Sequence, residues 1–341
     1  MDRFYVVPYV LLICFTRAQN SVLHPGRCRS VQGSDEVRVT CLYASFTQLP
    51  SKSFPSNTTN LNVEYSEINS MVLDDLKRFP HLSALHLLRN QLDVLPADLL
   101  KGLSNLHVLD LTGNNLTTLP ARVFHHSPLV ELTLTNNLLS EVNADCIPVN
   151  SSLQRLDLSS NRFTQIPVAF LERLRNLESL DLKSNQLEDL SPGALNSLSK
   201  LEALYLENNK LKSLDASAFS GNPNLHQLFL GSNHLENLPS GLLHEQIQLV
   251  FLDLSKNCMK SVTPGVLDRR LYVALSGNPW HCDSGLAYLW HWLRKNRLYH
   301  FDEVTCQSPE RMKGRNITEI DEKDLGIKAS VNYKETGVIK H

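Results

Sequence analysis

The stretch LESLDLKSNQL, residues 177–187, is followed by the closely similar stretch LEALYLENNKL, residues 201–211. Both stretches carry leucine at positions 1, 4, 6 and 11 of an eleven-residue frame and asparagine at position 9. Frames of this kind recur ten times along the chain at a nearly constant spacing. A fixed period, here about 24 residues, predicts a row of stacked structural repeats. The frames start at Thr58, Leu82, Leu106, Leu129, Leu153, Leu177, Leu201, Leu225, Leu249 and Arg270.

Each frame has the alternating pattern of a short strand. The leucines at positions 4 and 6 point to one face of that strand, and positions 3, 5 and 7 point to the other. Because one repeat cannot bury its own leucines, neighbouring repeats must stack, which predicts an α/β solenoid: a horseshoe with a concave sheet of parallel strands. Prolines in the second half of several repeats favour short irregular connections over long helices, so we expect a thin convex side.

The asparagine at position 9 has a structural explanation. The chain must turn sharply after each strand, and a carboxamide can donate to and accept from the backbone groups that the turn leaves inside the coil. Replacing one asparagine by an apolar residue should cost about 1–3 kcal/mol for the unsatisfied groups. The predicted ladder consists of Asn90, Asn114, Asn137, Asn161, Asn185, Asn209, Asn233, Asn257 and Asn278.

The N-terminal segment 1–18 has the pattern of a secretory signal, with Arg3, an apolar stretch from Phe4 to Phe15, and a small residue, Ala18, before the expected cleavage site. No later stretch is long and apolar enough for a membrane span, and the C-terminal end lacks the hydrophobic tail of a lipid anchor. We therefore expect a soluble, extracellular protein. Loss of the signal changes the formal charge from −2 to −3, which argues against general nucleic-acid binding.

Four sequence motifs for N-glycosylation agree with secretion. They begin at Asn57, Asn115, Asn150 and Asn316. Asn115 lies at position 10 of its frame, just after the strand, so a glycan there would crowd one rim of the horseshoe.

The cysteines predict two stabilised ends. Cys28 and Cys41 bracket the segment before the first repeat, and Cys282 and Cys306 bracket the segment after the last one. Of the several pairings that the count allows, this one places a disulfide in each terminal cap, where each would contribute roughly 3 kcal/mol. Zinc binding is the alternative, but the spacings do not supply four neighbouring ligands.

Two further cysteines have no such partner. Cys146 and Cys258 lie nearly five repeats apart, which is too far for a disulfide. Cys146 stands where the other repeats have apolar residues, so a buried free thiol is expected. Cys258 stands at an exposed position and could join another molecule.

The segment after the last frame resembles the C-terminal cap of secreted, extracellular leucine-rich repeat proteins. Trp292-Leu293 stands where that cap has Trp-Leu. The wider family has Cys-x-Cys and two further cysteines in this cap, whereas this chain has Ser284 at the second position and only Cys306 beyond. The combination of a two-cysteine cap at each end, about ten 24-residue repeats and no membrane anchor resembles secreted plasma members of this family. That resemblance implies an acute-phase plasma glycoprotein that binds cytochrome c and modulates transforming growth factor beta signalling through the accessory receptor endoglin.

These features divide the chain into five parts. They are a signal peptide (1–18), an N-terminal cap (19–57), about ten repeats (58–278), a C-terminal cap (279–325) and a tail (326–341).

Partner binding is expected on the concave face. Position 5 carries Tyr205 and Phe229 in neighbouring repeats, and position 3 adds aromatic residues in the next two repeats. Exposed aromatics with acidic neighbours suit a basic protein partner. Alternatively, the aromatics only shield the sheet and the acids only solvate it. The predicted ligand-binding residues are Tyr205, Phe229, Phe251, Tyr272, Glu202, Glu207, Asp253 and Asp181.

No motif of a known catalytic class occurs in the chain, and His86 and His107 lack a set of neighbouring ligands, so we predict no enzyme activity, cofactor or metal site. Three functions remain open: a soluble protein that binds protein ligands, a soluble decoy or innate recognition module, and a carrier subunit that stabilises another plasma protein.

Overall fold

The computed structural model describes residues 21–24, 27–267, 271–300 and 302–327. The predicted signal peptide, the frame start at Arg270 and the tail from residue 328 onward lie outside the described residues.

The described residues form one sheet of thirteen strands in chain order. Its strands are β1 Ser21–His24, β2 Cys28–Gln32, β3 Val37–Leu42, β4 Asn60–Glu64, β5 Ala84–His86, β6 Val108–Asp110, β7 Glu131–Thr133, β8 Arg155–Asp157, β9 Ser179–Asp181, β10 Ala203–Tyr205, β11 Gln227–Phe229, β12 Phe251–Asp253 and β13 Tyr272–Ala274. Strands β1 to β3 pair antiparallel, and every pair from β3 to β13 is parallel. The predicted solenoid of parallel strands is confirmed.

The register of the sheet follows the frame. Leu180 lies opposite Leu204, which in turn lies opposite Leu228, so equal frame positions of successive repeats are paired. The last, shortened repeat keeps the same pairing, since Phe251 lies opposite Tyr272. The missing residues are therefore removed from the connections and not from the strands.

The side of the repeats opposite the sheet is thin, as predicted. Among the described residues of the repeats it holds two short helices, α1 Leu73–Lys77 and α2 Val168–Leu171, and a 3-10 turn at Ala144–Cys146. A further 3-10 turn, Ser51–Ser53, lies in the N-terminal cap. The remaining connections are turns and irregular chain.

The C-terminal cap contains the longest described helix, α3 Ala287–Lys295, whose Leu289, Trp290 and Leu293 are buried. A 3-10 turn, Ser284–Leu286, leads into it, and the Asp283 carboxylate accepts the N–H of Gly285 at its start. Two more 3-10 turns follow at Glu310–Met312 and Ile317–Glu319. No helix among the described residues has both the length and the apolar character needed to cross a membrane.

The core is a continuous column of leucine layers. In the frame that begins at Leu177, the leucines at positions 1, 4, 6 and 11 are all fully buried. Phe124, Phe170 and Phe219 fill the core beneath the connections. Stacking such layers removes from water the apolar surface that no single repeat could bury.

The asparagines of position 9 connect neighbouring repeats. The Asn185 Nδ2 donates to the carbonyls of Leu158 (3.0 Å) and Leu182 (3.1 Å), and its Oδ1 accepts the N–H of Phe163 (3.0 Å). Each position 6 carbonyl in the middle of the coil thereby accepts from the asparagine of its own repeat and from that of the next. All nine asparagines named above are buried.

The C-terminal cap replaces the partners that a further repeat would supply. The carbonyl of Leu275 accepts from Asn278 (3.0 Å) and from the indole Nε1 of Trp280 (3.2 Å), which takes the place of the next asparagine. The Asp302 carboxylate accepts the N–H groups of Leu275 (2.6 Å) and Ser276 (2.5 Å).

A disulfide lies in each cap. Cys28 and Cys41 join β2 to β3 with their Cα atoms 4.0 Å apart, and Cys282 and Cys306 join the start of the C-terminal cap to its far side with a Cα separation of 5.7 Å. Of the other two cysteines, Cys146 is buried, where burial raises the pKa of its thiol to about 12, and Cys258 is exposed.

Position 8 of the frame has a left-handed backbone in all ten repeats. Its N–H donates to the position 7 carbonyl of the next repeat, as from Ser184 to Glu207 (2.9 Å). Left-handed conformations are cheapest for glycine and are favoured by asparagine among the other residues. Small residues or asparagine fill seven of these positions: Gly113, Asn136, Ser160, Ser184, Asn208, Ser232 and Gly277.

Candidate functional site

Three aromatic rings form a row on the sheet, in which two are stacked and the third is tilted by 41°. Tyr205 and Phe229 lie in register on β10 and β11, with ring centroids 4.7 Å apart and planes 11° from parallel. Phe251, on β12, lies 5.0 Å from the Phe229 ring. Each of the three is partly exposed, so the stack presents apolar surface to solvent while it covers the backbone beneath.

Tyr272 extends this region to the end of the sheet. It lies on β13, and its ring centroid is 5.2 Å from that of Tyr299 in the C-terminal cap. The contact with Tyr299 was not predicted, because no spacing in the sequence relates a cap residue to a strand of the sheet.

The aspartates of position 5 have a structural role that the sequence analysis missed. Asp181 accepts the N–H of Lys183 at 2.9 Å, and Asp253 accepts the N–H of Ser255 at 2.8 Å. Asp110 and Asp157 make the same bond two residues on. Aspartate commonly stabilises a turn in this way. The signal was present in the sequence as an aspartate placed directly before the position 6 leucine of four repeats.

The second carboxylate oxygens of Asp181 and Asp253 have different surroundings. The Asp181 Oδ2 lies 3.1 Å from the ammonium Nζ of Lys183. Burial raises the pKa of Asp181, and the nearby charge of Asp157 acts in the same direction. The Asp253 Oδ2 lies over Gly231, where a Cβ would be 2.5 Å from it. A side chain at this position would therefore require the Asp253 carboxylate to shift.

Glu207 is the most perturbed acid of the site. Its Oε2 is buried without a hydrogen-bond partner. The pKa of Glu207 is raised to about 7, mainly by burial; the negative charges of Asp181 and Asp253 act in the same direction, and its backbone hydrogen bond and Lys183 act against it. Glu207 is therefore partly protonated near neutral pH, which no sequence pattern indicated.

Glu202, the last of the predicted ligand-binding residues, is exposed at position 2, at the start of its strand. The structure thus brings together Tyr205, Phe229, Phe251 and the acids Asp181, Glu207 and Asp253, with Tyr272 and Glu202 at the borders. We call this group of eight residues the aromatic–acidic face.

The raised pKa of Glu207 predicts a pH dependence of stability. Folding favours the protonated form of Glu207. The contribution of Glu207 to the free energy of unfolding is therefore fully present below its ordinary pKa of 4.5 and is lost as the pH rises through about 7. Between pH 5 and pH 8, the wild-type protein should lose more stability than Glu207→Gln, which cannot ionise. Denaturant midpoints at the two pH values measure this difference. Glu202→Gln, an exposed acid in the same repeat, is the control and should behave like the wild type; equal pH dependence of Glu207→Gln and wild type would contradict the prediction.

The predicted glycosylation sites lie away from the aromatic–acidic face in sequence. Asn57, Asn115 and Asn150 are exposed, and Asn316 is partly buried, with its Oδ1 accepting the N–H of Thr318 at 2.9 Å. No glycosylation motif begins between residues 151 and 315, the segment that contains the whole face.

The two histidines considered in the sequence lie on the N-terminal half of the molecule. The Nδ1 of His86 is 3.7 Å from the Oδ2 of Asp110. Within the described ranges, no group of three or more histidine, cysteine, aspartate or glutamate side chains is arranged to hold a metal ion.

Comparison with known proteins gives a family match over the repeats. The model of the family described as Leucine rich repeat matches overlapping segments that together cover residues 80–259, more than half of the chain.

Two curated proteins are similar to short segments. Carboxypeptidase N subunit 2 of Homo sapiens is 42% identical over 55 residues, which are 16% of this chain and 10% of that protein. Phospholipase A2 inhibitor of Gloydius brevicaudus siniticus is 37% identical over 57 residues, 16% of this chain and 17% of that protein. The chain therefore spans less than a fifth of either relative.

A solved structure extends the similarity to the architecture. A chain of the Toll–Spatzle complex of Drosophila superposes with a TM-score of 0.65 at 22% sequence identity, covering 84% of this chain and 48% of that one. At this identity, the likeness shows the fold alone.

Proposed function

Because this chain belongs to the leucine-rich repeat family, we propose that it is a secreted glycoprotein that binds a protein partner through the aromatic–acidic face. Solenoids of this family are typically scaffolds for protein interaction and not enzymes. The observation that carries the proposal is the row of neighbouring rings of Tyr205, Phe229 and Phe251. Partly exposed aromatic rings are common anchors of protein interfaces, since they bury a large apolar area at a small cost in side-chain entropy.

The charges beside the stack favour a partner with a basic surface. Asp181, Glu207 and Asp253 border the rings, and Lys183 is paired with Asp181, so the local charge is negative. Charge complementarity of this kind selects partners and speeds their association. A basic partner would also supply a cation near the buried carboxylate of Glu207, whose Oε2 has no hydrogen bond.

The family resemblance suggests which partners to test. Two short disulfide caps and about ten repeats of similar length make the chain similar to leucine-rich alpha-2-glycoprotein. That resemblance implies binding of cytochrome c, which is basic, and modulation of transforming growth factor beta signalling through endoglin. The charge of the face makes cytochrome c the first probe.

Removal of two rings should weaken binding strongly. The double substitution Tyr205→Ala with Phe229→Ala deletes the centre of the stack, and the loss of a central anchor costs about 2 kcal/mol, or roughly 30-fold in affinity. The measurement is calorimetric titration of the purified glycoprotein with cytochrome c at low and at physiological salt.

The control is Ile247→Ala, which removes a side chain that is 74% exposed and lies outside the strands. It should leave the affinity unchanged. If the double variant is secreted and folded, as judged by circular dichroism, and binds as tightly as the wild type, then the face is not the binding site. If the wild type itself does not bind cytochrome c, the same variants are tested against endoglin.

A carrier role is the second candidate, and the similarity to a protein named as a subunit, carboxypeptidase N subunit 2, favours it. A carrier would form a stable complex of fixed stoichiometry. Size-exclusion chromatography with light scattering of the native protein from plasma distinguishes the two functions, since a ligand-binding glycoprotein would elute at the mass of the single chain.

A further inference from the structure

The residues at position 8 of the frame, which have a left-handed backbone, are large at the N-terminal end of the sheet. Tyr65 and Arg89 occupy this position in the first two repeats, with φ of 50° at both. Tyr43 holds the equivalent place in the N-terminal cap: its φ is 52°, and its N–H donates to Glu64 as that of Tyr65 donates to Leu88. Bulky side chains are rare at positive φ, and such strain is concentrated at functional sites. Three consecutive large residues therefore require an explanation that the fold alone does not supply.

These side chains form one exposed stack. The rings of Tyr43 and Tyr65 lie 4.9 Å apart with planes 27° from parallel, and the Cζ of Arg89 lies 5.5 Å from the centre of the Tyr65 ring. Tyr43 is 57% exposed and Tyr65 is 38% exposed. Arg27, whose backbone is also left-handed, lines a shallow groove beside the two tyrosines. We call Arg27, Tyr43, Tyr65 and Arg89 the N-terminal edge patch.

The charges of the patch are not neutralised by ion pairs. Four arginines of the described chain have acidic partners, among them Arg38 with Glu36 and Arg155 with Glu131. In contrast, no ion pair recorded for the described residues includes Arg27 or Arg89, and both are exposed. Guanidinium groups held beside aromatic rings are suited to bind carboxylates.

The surroundings favour a peptide over a sulfated polysaccharide. Both faces of the Tyr65 ring are covered, by Tyr43 and by Arg89, so no face of that ring is free to stack on a sugar. Glu67 lines the same groove, which reduces its positive charge. Leu42, directly before Tyr43, is 41% exposed and adds apolar surface.

We propose that the N-terminal edge patch is a second binding site, which takes an acidic segment of a protein partner that also carries apolar residues. The site is opposite in charge to the aromatic–acidic face. It is also distant from it, since six strand spacings separate β4 from β10, or roughly 29 Å at the usual strand spacing. One molecule can therefore hold two partners, or two parts of one partner, at the same time.

The test variant replaces large residues of the patch with residue types that the protein carries at position 8 of other repeats. The triple variant Tyr43→Asn, Tyr65→Asn and Arg89→Ser introduces the residue types found at Asn136, Asn208 and Ser184, so it should fold with unchanged or higher thermal stability. The matched control is Lys256→Ser, which removes a long basic side chain from the same frame position, with φ of 52°, at the other end of the sheet.

The probe is a fluorescent peptide of alternating glutamate and leucine, with a lysine and leucine peptide and heparin as comparisons. We expect saturable binding of the acidic peptide by the wild type, at least tenfold weaker binding by the triple variant, and no change with Lys256→Ser. Binding of cytochrome c at the aromatic–acidic face should be the same in the wild type and the triple variant, so failure of one site does not imply failure of the other.

Three outcomes would overturn the proposal. They are absence of saturable peptide binding by the wild type, equal binding by the triple variant, and loss of heparin binding alone in that variant. Sedimentation velocity adds a fourth: self-association that disappears in the triple variant would mean that a second copy of the chain, and not an acidic partner, covers the patch.

Discussion

Asn185→Ala is expected to lower the free energy of unfolding by about 3 kcal/mol, because it leaves the buried N–H of Phe163 without an acceptor and removes hydrogen bonds to two leucine carbonyls and a longer one to the Lys183 carbonyl. The two carbonyls keep one partner each, Leu158 from Asn161 and Leu182 from Asn209. The unpaired N–H therefore accounts for the larger part of the loss.

Denaturant unfolding of the purified protein measures the effect. Gln186→Ala, which truncates the exposed neighbouring residue, is the control and should change stability by no more than about 0.5 kcal/mol. Equal unfolding midpoints for Asn185→Ala and Gln186→Ala would show that the asparagine ladder does not hold the repeats together.

The second large effect is expected in the C-terminal cap. Replacing both Cys282 and Cys306 with serine opens a loop of 24 residues and should lower stability by about 3 kcal/mol. Because this cap also holds Trp280 and Asp302 against the last strand, its loosening should expose the leucine layer beneath. Limited proteolysis is expected to cleave the variant first within the cap.

Cys258→Ser is the matched control, since Cys258 is exposed and free. It should leave both the unfolding midpoint and the proteolytic pattern unchanged. If the double serine variant resists protease as the wild type does, then the packing of α3 holds the cap without the disulfide.

Periodicity explains why the repeats were predictable. The frame that places Leu180 and Leu182 inward repeats at nearly constant spacing, and a period of two residues along each strand assigns every side chain to a face. The pairing of Tyr205 with Phe229 follows from the same rule, since equal positions of adjacent repeats lie in register.

The features that the sequence did not reveal depend on contacts between distant residues. Trp280 and Asp302 take the places of a missing repeat, but neither stands in a frame. The burial of Glu207 depends on its neighbours in the adjacent repeats and on the position of its own side chain, not on its frame position. The left-handed backbone at position 8 could have been predicted, because glycine, asparagine and serine occupy most of these positions. The large residues at this position, Tyr65, Arg89 and Lys256, become informative only once their backbone conformation is known.

The contacts at the last strand also determine whether other molecules can add to the end of the sheet. An open strand at the end of a sheet offers its N–H and C=O groups to any other strand, and a repeating sheet with such an end can add molecule to molecule. In β13 the N–H of Val273 donates to the carbonyl of Tyr299. Just after the strand, the N–H groups of Leu275 and Ser276 donate to Asp302, and the Leu275 carbonyl accepts from Trp280. With that edge closed, no further strand can add to this end of the sheet, and filament growth from it is blocked.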